Sequence, residues 1–235
     1  MPYVTVDVDR LDWATIASQL DVEGYAMLPG FLSASAARDV AQHTERMCVA
    51  GRVSLASIGL GHGELLYPGA VPSIPVELWR TAFYPRLADI ANRWNEVLGI
   101  ENRYPKTLVE YLRRNQQAGQ IQAQSHVNRL GVDDHVSLHQ RSDGEQVFPL
   151  QIVGLLSEPG VDFDGGEFVM TEQRPRMQSR PMVLPLKLGD MAIIATAERP
   201  FKGTKGYYRV NLKHAISRVR MGKRIGLELS FHNEP

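Results

Sequence analysis

The sequence has almost no cysteine and no long apolar run. Cys48 is its single cysteine and has no partner for an internal disulfide, so the disulfide framework of small secreted proteins is excluded. No stretch approaches the ~20 apolar residues that a membrane helix needs. Residues 1–12 lack the basic and apolar pattern of a signal peptide. We therefore expect a cytoplasmic protein without a membrane partner, in which Cys48 packs as a small side chain.

The chain also lacks an excess of charge of either sign. Lys and Arg total 26, as do Asp and Glu, so the protein has no general attraction for polyanions, and no stable complex with duplex nucleic acid is expected. The stretch 199–224 is an exception, because it is basic and contains no acidic residue. Such a run forms either a solvated face or a local site for a phosphate or carboxylate.

Helical patterns dominate the first half of the 235 residues. The first predicted helix begins after Asp12, which is its N-cap. The other predicted helices run from Ser33 to Val49, from Val76 to Leu98 and from Leu108 to Gln117. A strand is predicted at Tyr25–Leu28 and a loop at Gly51–Pro75. We interpret the chain as one domain, with a mainly helical part at 1–120 and a barrel core at 121–235.

Short strands separated by turn residues dominate the second half. They are predicted near Gln124–Leu130, Val136–His139, Leu150–Leu156, Glu167–Met170, Met182–Pro185, Met191–Ala195, Tyr207–Ala215 and Arg224–His232. Strands of this length and spacing are typical of a sandwich or a jelly-roll barrel. The predicted fold class is therefore α+β.

Two histidines of the strand-rich half have the separation expected of metal ligands. His139 follows one strand-like segment and His214 lies inside a later one. Two imidazoles and one carboxylate on one face of octahedral iron leave three positions for oxygen and substrate. A histidine on a strand is more often a hydrogen-bonded structural residue, so the pair alone does not decide between these functions.

The sequence around the pair resembles the Fe(II)/2-oxoglutarate-dependent oxygenase superfamily, specifically a bacterial group often labelled as acting on damaged nucleic acid. The matching segments are Phe148–Gln151, Leu155–Gly160, Gly165–Phe168, Thr171–Arg180, Tyr208–His214 and Ser217–Arg220, with weaker matches at Trp13 and Ala91–Asn95. The resemblance implies a double-stranded β-helix, which is a jelly-roll or cupin-like barrel, with N-terminal helices packed on it. It also implies Fe(II) as cofactor and O2 as cosubstrate.

The resemblance assigns roles to individual residues. It makes His139 and His214 the iron ligands and makes Arg224 the partner of the C5 carboxylate of 2-oxoglutarate. The planar guanidinium suits this role because it binds a carboxylate through two hydrogen bonds. The alternative for Arg224 is a surface position at the end of the basic run. Residues 171–176 belong to the group's characteristic loop, where they either order the site or form structural ion pairs.

The sequence departs from the family at the third ligand. Relatives carry His-X-Asp, whereas this chain has His139-Gln140-Arg141, and a guanidinium has no lone pair for iron. Three explanations are open: an inactive protein, an open coordination position, or a carboxylate from elsewhere. Halogenases of the superfamily use a small residue there and leave room for chloride, which Arg141 does not imitate.

The last predicted strand offers a replacement carboxylate. Alternation places Arg224, Gly226, Glu228, Ser230 and His232 on one face. If Arg224 points into the barrel, Glu228 does so too, where it either ligates iron or pairs with Arg141. The remaining alternatives are that this face meets solvent, or that Asp143 is the ligand.

These assignments predict a mononuclear non-haem Fe(II) oxygenase with Arg141 and Glu228 as catalytic residues. If Glu228 blocks the cosubstrate position, 2-oxoglutarate is not used, and an anionic or nucleoside-like substrate chelates iron beside His126, Asn128, Arg141 and Arg224. The family resemblance favours a heteroaromatic or nucleoside-like metabolite and ring remodelling in nucleoside-antibiotic biosynthesis. The alternatives are a 2-oxoglutarate-dependent hydroxylase or halogenase, and a catalytically inactive binding protein.

Overall fold

The helices lie mainly in the first half of the chain, as the sequence predicts. The computed structural model describes residues 7–45, 51–67 and 75–235, so Cys48 and the predicted helix end at Val49 lie outside the described residues. The helices are α1 (Trp13–Glu23), α2 (Ala34–Glu45), α3 (Val76–Val97) and α4 (Leu108–Gln117). The Asp12 side chain caps α1 by accepting a hydrogen bond from the backbone N–H of Thr15.

Strands account for most of the second half and for part of the first. They are β1 (Tyr25–Leu28), β2 (Arg52–Ser54), β3 (Gly61–His62), β4 (Glu64–Leu66), β5 (Gln122–Ala123), β6 (His126–Leu130), β7 (His135–His139), β8 (Leu150–Leu155), β9 (Phe163–Gly165), β10 (Phe168–Gln173), β11 (Arg180–Leu184), β12 (Met191–Ala195), β13 (Glu198–Gly203), β14 (Gly206–Ile216), β15 (Val219–Gly222), β16 (Arg224–Leu229) and β17 (Asn233–Glu234).

Two antiparallel sheets hold the strands that carry the predicted site. The larger sheet has the order β1-β12-β8-β16-β6-β4-β2, and the smaller sheet has the order β11-β10-β14-β7-β3, with β13 paired to β14. The centre of the larger sheet sets β16 between β6 and β8, with Glu228 opposite His126 on one side and Val153 on the other. The α+β interpretation is therefore correct, and the strand order brings the distant segments of the site together.

Helix α3 presents one apolar face to the barrel. Its buried face includes Trp79, Phe83 and Tyr84. The Tyr84 ring lies 5.2 Å from that of Phe148 and 6.2 Å from that of Phe231, at the ends of β8 and β16. Aromatic rings at these separations contribute both buried area and edge interactions. Helix α3 is thus held against the larger sheet, as predicted for the N-terminal helices.

The prediction of a loop over Gly51–Pro75 is partly wrong. Strands β2 and β4 form there, and β4 pairs with β6 and so extends the larger sheet. Strand β13 was also missed, although it pairs with β14 over its full length. The two errors have different causes. Strands β2 and β4 have three residues each, and β4 pairs with the distant β6, which local patterns do not reveal. Strand β13 forms a local hairpin with β14, but Pro200 interrupts its strand pattern. No helix among the described residues is long and apolar enough to cross a membrane.

Candidate functional site

His139 and His214 lie on neighbouring strands of the smaller sheet. They are direct partners in the β7–β14 register, and their ring centroids are 4.3 Å apart. His214 is almost fully buried, and its ring stacks on Phe168 at a centroid distance of 5.8 Å. The two histidines are far apart in the sequence, but the pairing of β7 with β14 places their imidazoles side by side.

The hydrogen bonds of His139 leave one ring nitrogen available. Nδ1 lies 2.9 Å from the carbonyl oxygen of Ser137, while Nε2 is buried without a hydrogen-bond partner. Burial lowers the pKa of His139 to about 4, with the neighbouring His214 adding to this effect and Glu228 opposing it. The imidazole is therefore neutral at pH 7, which is the form that binds metals.

His214 faces polar groups from the opposite sheet. Its Nε2 lies 3.2 Å from Nε2 of Gln151 and 3.8 Å from Oε2 of Glu228. Gln151 was not predicted as a site residue. Its position in the Phe148–Gln151 segment that matches the family was the available signal. The contact with Gln151 defines which ring edge of His214 faces the barrel interior.

Glu228 is buried at the centre of this polar cluster. Its Oε1 accepts a hydrogen bond from Asn128 Nδ2 at 3.3 Å and lies 3.7 Å from Nε2 of His126. Its Oε2 lies 3.8 Å from Nε of Arg141 and has no hydrogen-bond partner. Burial acts to raise the pKa of Glu228, but interactions with His126 and His214 outweigh burial and hold the pKa well below its usual value. The group is therefore a carboxylate.

The predicted polar face of the last strand does not meet solvent, so that alternative is wrong. Arg224 is 2% exposed and Glu228 is 5% exposed. Arg224 donates from Nη1 to Asn128 Oδ1 and from Nε to the Gly166 carbonyl, both at 2.8 Å. A Cβ at Gly226 would lie 2.6 Å from Arg224 Nη1. Glycine at this position therefore makes room for the guanidinium inside the barrel.

Arg141, which stands where the resemblance implies an aspartate, is buried. Its contacts are long: Nη1 lies 3.3 Å from Gln124 Oε1 and 3.7 Å from Glu234 Oε1, and Nε has no hydrogen-bond partner. Neither Gln124 nor Glu234 was predicted, because both stand outside the family motifs. The guanidinium thus lies between two carboxylates, Glu228 and Glu234, without a close bond to either.

A cleft of about 560 Å³ gives access to His139 and Arg141. Its lining residues are Gly51, Val53, Ile58, Leu60, Tyr67, Gln122, Ala123, Gln124, His139, Gln140, Arg141, Asp143 and Glu234. Asp143 is exposed on the loop after β7. Asp143, the alternative iron ligand, therefore lies in the cleft wall rather than in the buried cluster around Glu228.

A second cavity borders the other buried arginine of the site. It has a volume of about 180 Å³ and includes Arg224, Gly166, Phe168 and Leu155 in its lining. Phe168 also stacks on His214, so this cavity and the histidine share a wall. A small anion in this cavity would have Arg224 as a neighbour.

The basic run does not form one binding face. Its first and last members, Arg199 and Arg224, are buried, whereas Arg209, Arg218 and Arg220 make exposed ion pairs with acidic neighbours. Alternation of the strands and long-range pairing thus separate residues that are continuous in sequence. A phosphate or carboxylate site formed by the run as a whole is not present among the described residues.

Glu172, a member of the characteristic loop, has a structural role. It forms a buried ion pair with Arg199, and Arg199 Nη1 donates to the carbonyl of Asp21 at 2.7 Å at the end of α1. Arg174 donates to the other carboxylate oxygen of Glu172 at 2.9 Å. The loop residues at 172 and 174 therefore tie the smaller sheet to the first helix.

We expect Arg199→Met to destabilise the protein by about 3 kcal/mol, because buried Glu172 loses one of its two arginine partners and keeps only the partly exposed Arg174. Thermal or urea unfolding measures this loss. Arg209→Met is the matched control, since the Arg209–Glu198 pair is exposed and such pairs contribute about 1 kcal/mol or less. Equal stability of the two variants would contradict the structural role.

The donor groups around His139 suit iron, although the side chains are not yet arranged as a metal site. Within residues 7–45, 51–67 and 75–235, no group of three His, Cys, Asp or Glu side chains is placed so that it could hold a metal ion. However, the neutral His139 has a free buried Nε2, and Glu228 has a free buried Oε2. Two imidazoles and a carboxylate are the donor set of non-haem iron, so the chemistry fits and a side-chain rotation is required.

Known structures share the fold. A Pseudomonas putida prolyl-4-hydroxylase has a TM-score of 0.57 and 13% identity, covering 95% of this chain and 99% of that one. A 2OG-Fe(II) oxygenase family oxidoreductase from Burkholderia pseudomallei has a TM-score of 0.51 and 18% identity, covering 96% and 93% of the two chains. These similarities confirm the predicted double-stranded β-helix.

The sequence comparisons identify the family. An uncharacterized protein of Mycobacterium tuberculosis is 38% identical over 158 residues, which are 67% of this chain and 68% of that protein. Residues 63–234 match the family described as an oxygenase catalysing oxidative methylation of damaged DNA. The predicted resemblance is thereby confirmed. The chain therefore belongs to this oxygenase family.

Proposed function

We propose that this oxygenase holds one Fe(II) through His139, His214 and Glu228 and oxidises a small molecule in the adjacent cleft. The observation that carries the proposal is the state of the Glu228 carboxylate. Oε1 is held by Asn128, whereas Oε2 is buried, has no hydrogen-bond partner and lies 3.8 Å from His214 Nε2. An unsatisfied buried carboxylate oxygen is costly, and a metal ion beside the two histidines would satisfy it.

The neighbours of Glu228 orient its carboxylate for iron binding. Asn128 bridges Glu228 and Arg224, since its amide nitrogen donates to the former at 3.3 Å and its oxygen accepts from the latter at 2.8 Å. This bridge restrains one carboxylate oxygen and leaves the other free to turn toward the imidazoles. Bound Fe(II) would activate O2 for transfer to the substrate. Arg141 would provide a fixed positive charge beside the reacting groups.

We assign the substrate to the cleft that contains His139 and Arg141. Its volume of about 560 Å³ is in the usual range for small-molecule sites. Asp143 and Glu234 in its wall would repel a polyanionic backbone, and the exposed arginines of the basic run are already paired. These features favour a small molecule over damaged DNA. The heteroaromatic or nucleoside-like class, and a place in antibiotic biosynthesis, stay predictions from the resemblance.

A 2-oxoglutarate-dependent reaction is the second candidate, because the cavity of about 180 Å³ beside Arg224 offers room for a small anion. Asn128 and Gly166 engage two of the five N–H donors of Arg224, so three remain for a carboxylate. However, the buried Glu228 carboxylate interacts with Arg224 and would repel a dicarboxylate. We therefore favour a reaction in which the substrate itself supplies the electrons. The halogenase alternative has no supporting contact, since buried Arg141 takes the place of a small residue.

The experiment is anaerobic reconstitution of the full chain with Fe(II), followed by iron analysis and by pulsed EPR counting of imidazole nitrogens on the nitric oxide adduct. We expect one iron per chain with two imidazoles. Oxygen uptake and succinate formation with and without 2-oxoglutarate then separate the two candidates. A chain that binds no iron would support the alternative of an inactive binding protein and would reject the proposal.

We expect Arg141→Asp, which restores the family residue, to fail to establish rapid 2-oxoglutarate turnover. Glu228 would remain beside Arg224, and the new aspartate would lie near the carboxylates Glu228 and Glu234, where like charges oppose its ionisation. Succinate formation in the single variant, compared with the wild-type chain, measures the outcome. Fast coupled turnover would show that Glu228 leaves the cosubstrate position free.

A further inference from the structure

The cleft contains a buried guanidinium that donates a hydrogen bond to neutral Gln124, at 3.3 Å, but to no carboxylate among the described residues. Arg141 is 7% exposed, its Nε is buried without a hydrogen bond, and its nearest carboxylate oxygens are 3.7 and 3.8 Å away. A buried guanidinium is stabilised by bidentate, charge-assisted hydrogen bonds at shorter range. The arrangement therefore points to an anionic group that is supplied by a ligand.

The same cleft contains negative groups in excess of what Arg141 can neutralise. Glu234 lies 3.7 Å from Arg141, and Asp143 also lines the cleft. Burial raises the pKa of Glu234, with Arg141 opposing this effect and Asp143 adding to it. Glu234 thus has one distant cation and one like charge as neighbours, which is an environment that favours a second, ligand-borne cation.

One wall of the cleft is apolar. Val53, Ile58 and Leu60 line it together with the ring of Tyr67. Tyr67 also lies against His126, with ring centroids 5.6 Å apart. This wall offers a hydrophobic surface for a hydrocarbon or aromatic side chain next to the charged groups.

We propose that the cleft binds a zwitterionic small molecule of the α-amino acid class, with its carboxylate on Arg141, its ammonium group at Glu234 and its side chain along the apolar wall. This inference rests on the proposed function, because it names the substrate class of that site. In an α-amino acid the two charged groups are separated by one carbon atom. Such a molecule can lie alongside the Arg141–Glu234 pair, whose facing atoms are 3.7 Å apart, with each of its charged groups next to the opposite charge.

Other ligand classes leave one of these groups unsatisfied. A neutral nucleoside offers no anion to Arg141, so the buried Nε would stay without a partner. A nucleotide offers its phosphate to Arg141 but meets the charges of Glu234 and Asp143. Truncating one end of a zwitterion should therefore weaken binding, because buried polar groups that lose their partners cost more than the average hydrogen bond contributes.

The test is calorimetric titration of the Fe(II)-loaded and metal-free chain under anaerobic conditions. The probes are L-leucine, L-phenylalanine, L-tyrosine and L-tryptophan, each beside its N-acetyl derivative and its amide, with uridine and uridine monophosphate as the nucleoside class. We expect at least one amino acid to bind and both of its derivatives to bind at least about tenfold more weakly, which is about 1.4 kcal/mol. Arg141→Gln should abolish the preference over the amide. Glu234→Gln should abolish the preference over the N-acetyl derivative.

Two exposed residues outside the cleft provide matched controls. Arg113→Gln and Glu145→Gln remove the same charges and should leave both preferences unchanged. The proposal is overturned if no amino acid binds, if the derivatives bind as well as their parents, or if only the nucleoside probes bind. The comparison of parents with derivatives uses the wild-type chain and so does not depend on variant folding.

The two proposals fail separately. Arg141 and Glu234 belong to the chain, so the preference for the zwitterion should persist without metal. Amino acid binding in a chain that takes up no iron would reject the iron site and keep this inference. Stoichiometric iron binding without an amino acid preference would reject this inference and keep the iron site.

Discussion

His139→Ala and His214→Ala should each abolish stoichiometric iron binding. The site has Arg141 where the resemblance implies a carboxylate, so the two imidazoles would be a large share of its donors. Each alanine removes one of them and leaves a buried void beside the remaining charges. Since metal binding to the native state stabilises it in proportion to RT ln(1 + [L]/Kd), the loss should appear both as missing iron and as a missing thermal shift.

Iron analysis after reconstitution, together with thermal unfolding with and without Fe(II), measures the effect. His135→Ala is the matched control because it lies on the same strand, β7, but its ring neighbours His62, at 5.4 Å, rather than His214. We expect His135→Ala to bind iron as the wild-type chain does. Full iron content in either ligand variant would remove the proposed site.

Glu228→Gln should lower iron affinity by at least about tenfold, or about 1.4 kcal/mol, and activity should fall with it. Glutamine has nearly the same shape as glutamate but lacks the charge that offsets Fe(II). Its amide oxygen can still accept from Asn128, so the change falls on the other oxygen, which becomes an NH2 group that cannot bind iron. Iron affinity, oxygen uptake and the free energy of unfolding of the metal-free variant are measured together, so that loss of folding is separated from loss of the ligand.

The double variant Glu228→Gln/Arg141→Gln distinguishes a ligand from a mere ion-pair partner. If Glu228 serves only to neutralise Arg141, removing both charges should recover much of what the single change loses, as coupled residues do in a mutant cycle. If Glu228 binds iron, affinity stays low in both variants. Wild-type iron content in Glu228→Gln would contradict the proposal and make Asp143, in the neighbouring cleft wall, the next residue to test.

The concentration of charge inside the barrel is itself an argument for function. Arg141, Arg224 and Glu228 are all buried, and burial lowers the pKa of Arg224 to about 10 although Glu228 opposes this effect. Replacing buried ions by apolar side chains of similar volume is often neutral or stabilising. A barrel selected for stability alone would therefore not need these residues, whereas a barrel that binds a metal and a charged substrate does.

Much of the site was predictable from local patterns and motif resemblance. His139, His214 and Arg224 stand at positions that match the family, and strand alternation put Glu228 on the same face as Arg224. The structure confirms that this face is buried, because β16 lies at the centre of the larger sheet. Side chains alternate with a period of two residues in any strand, so the sequence was sufficient to assign Arg224 and Glu228 to the same face.

Tertiary structure decided which residues meet across the barrel and how their charges balance. Glu234 approaches Arg141 because the chain end returns to pair with β5, and no sequence motif marks that pairing. Likewise, Glu172 and Arg199 look like site or surface residues in the sequence but form a buried structural pair. Strand periodicity assigns a side chain to a face, whereas its neighbours depend on long-range pairing and on burial. For this reason His139 and His214 could be proposed as iron ligands from the sequence, but the charge pattern of the cleft beside them could not be predicted.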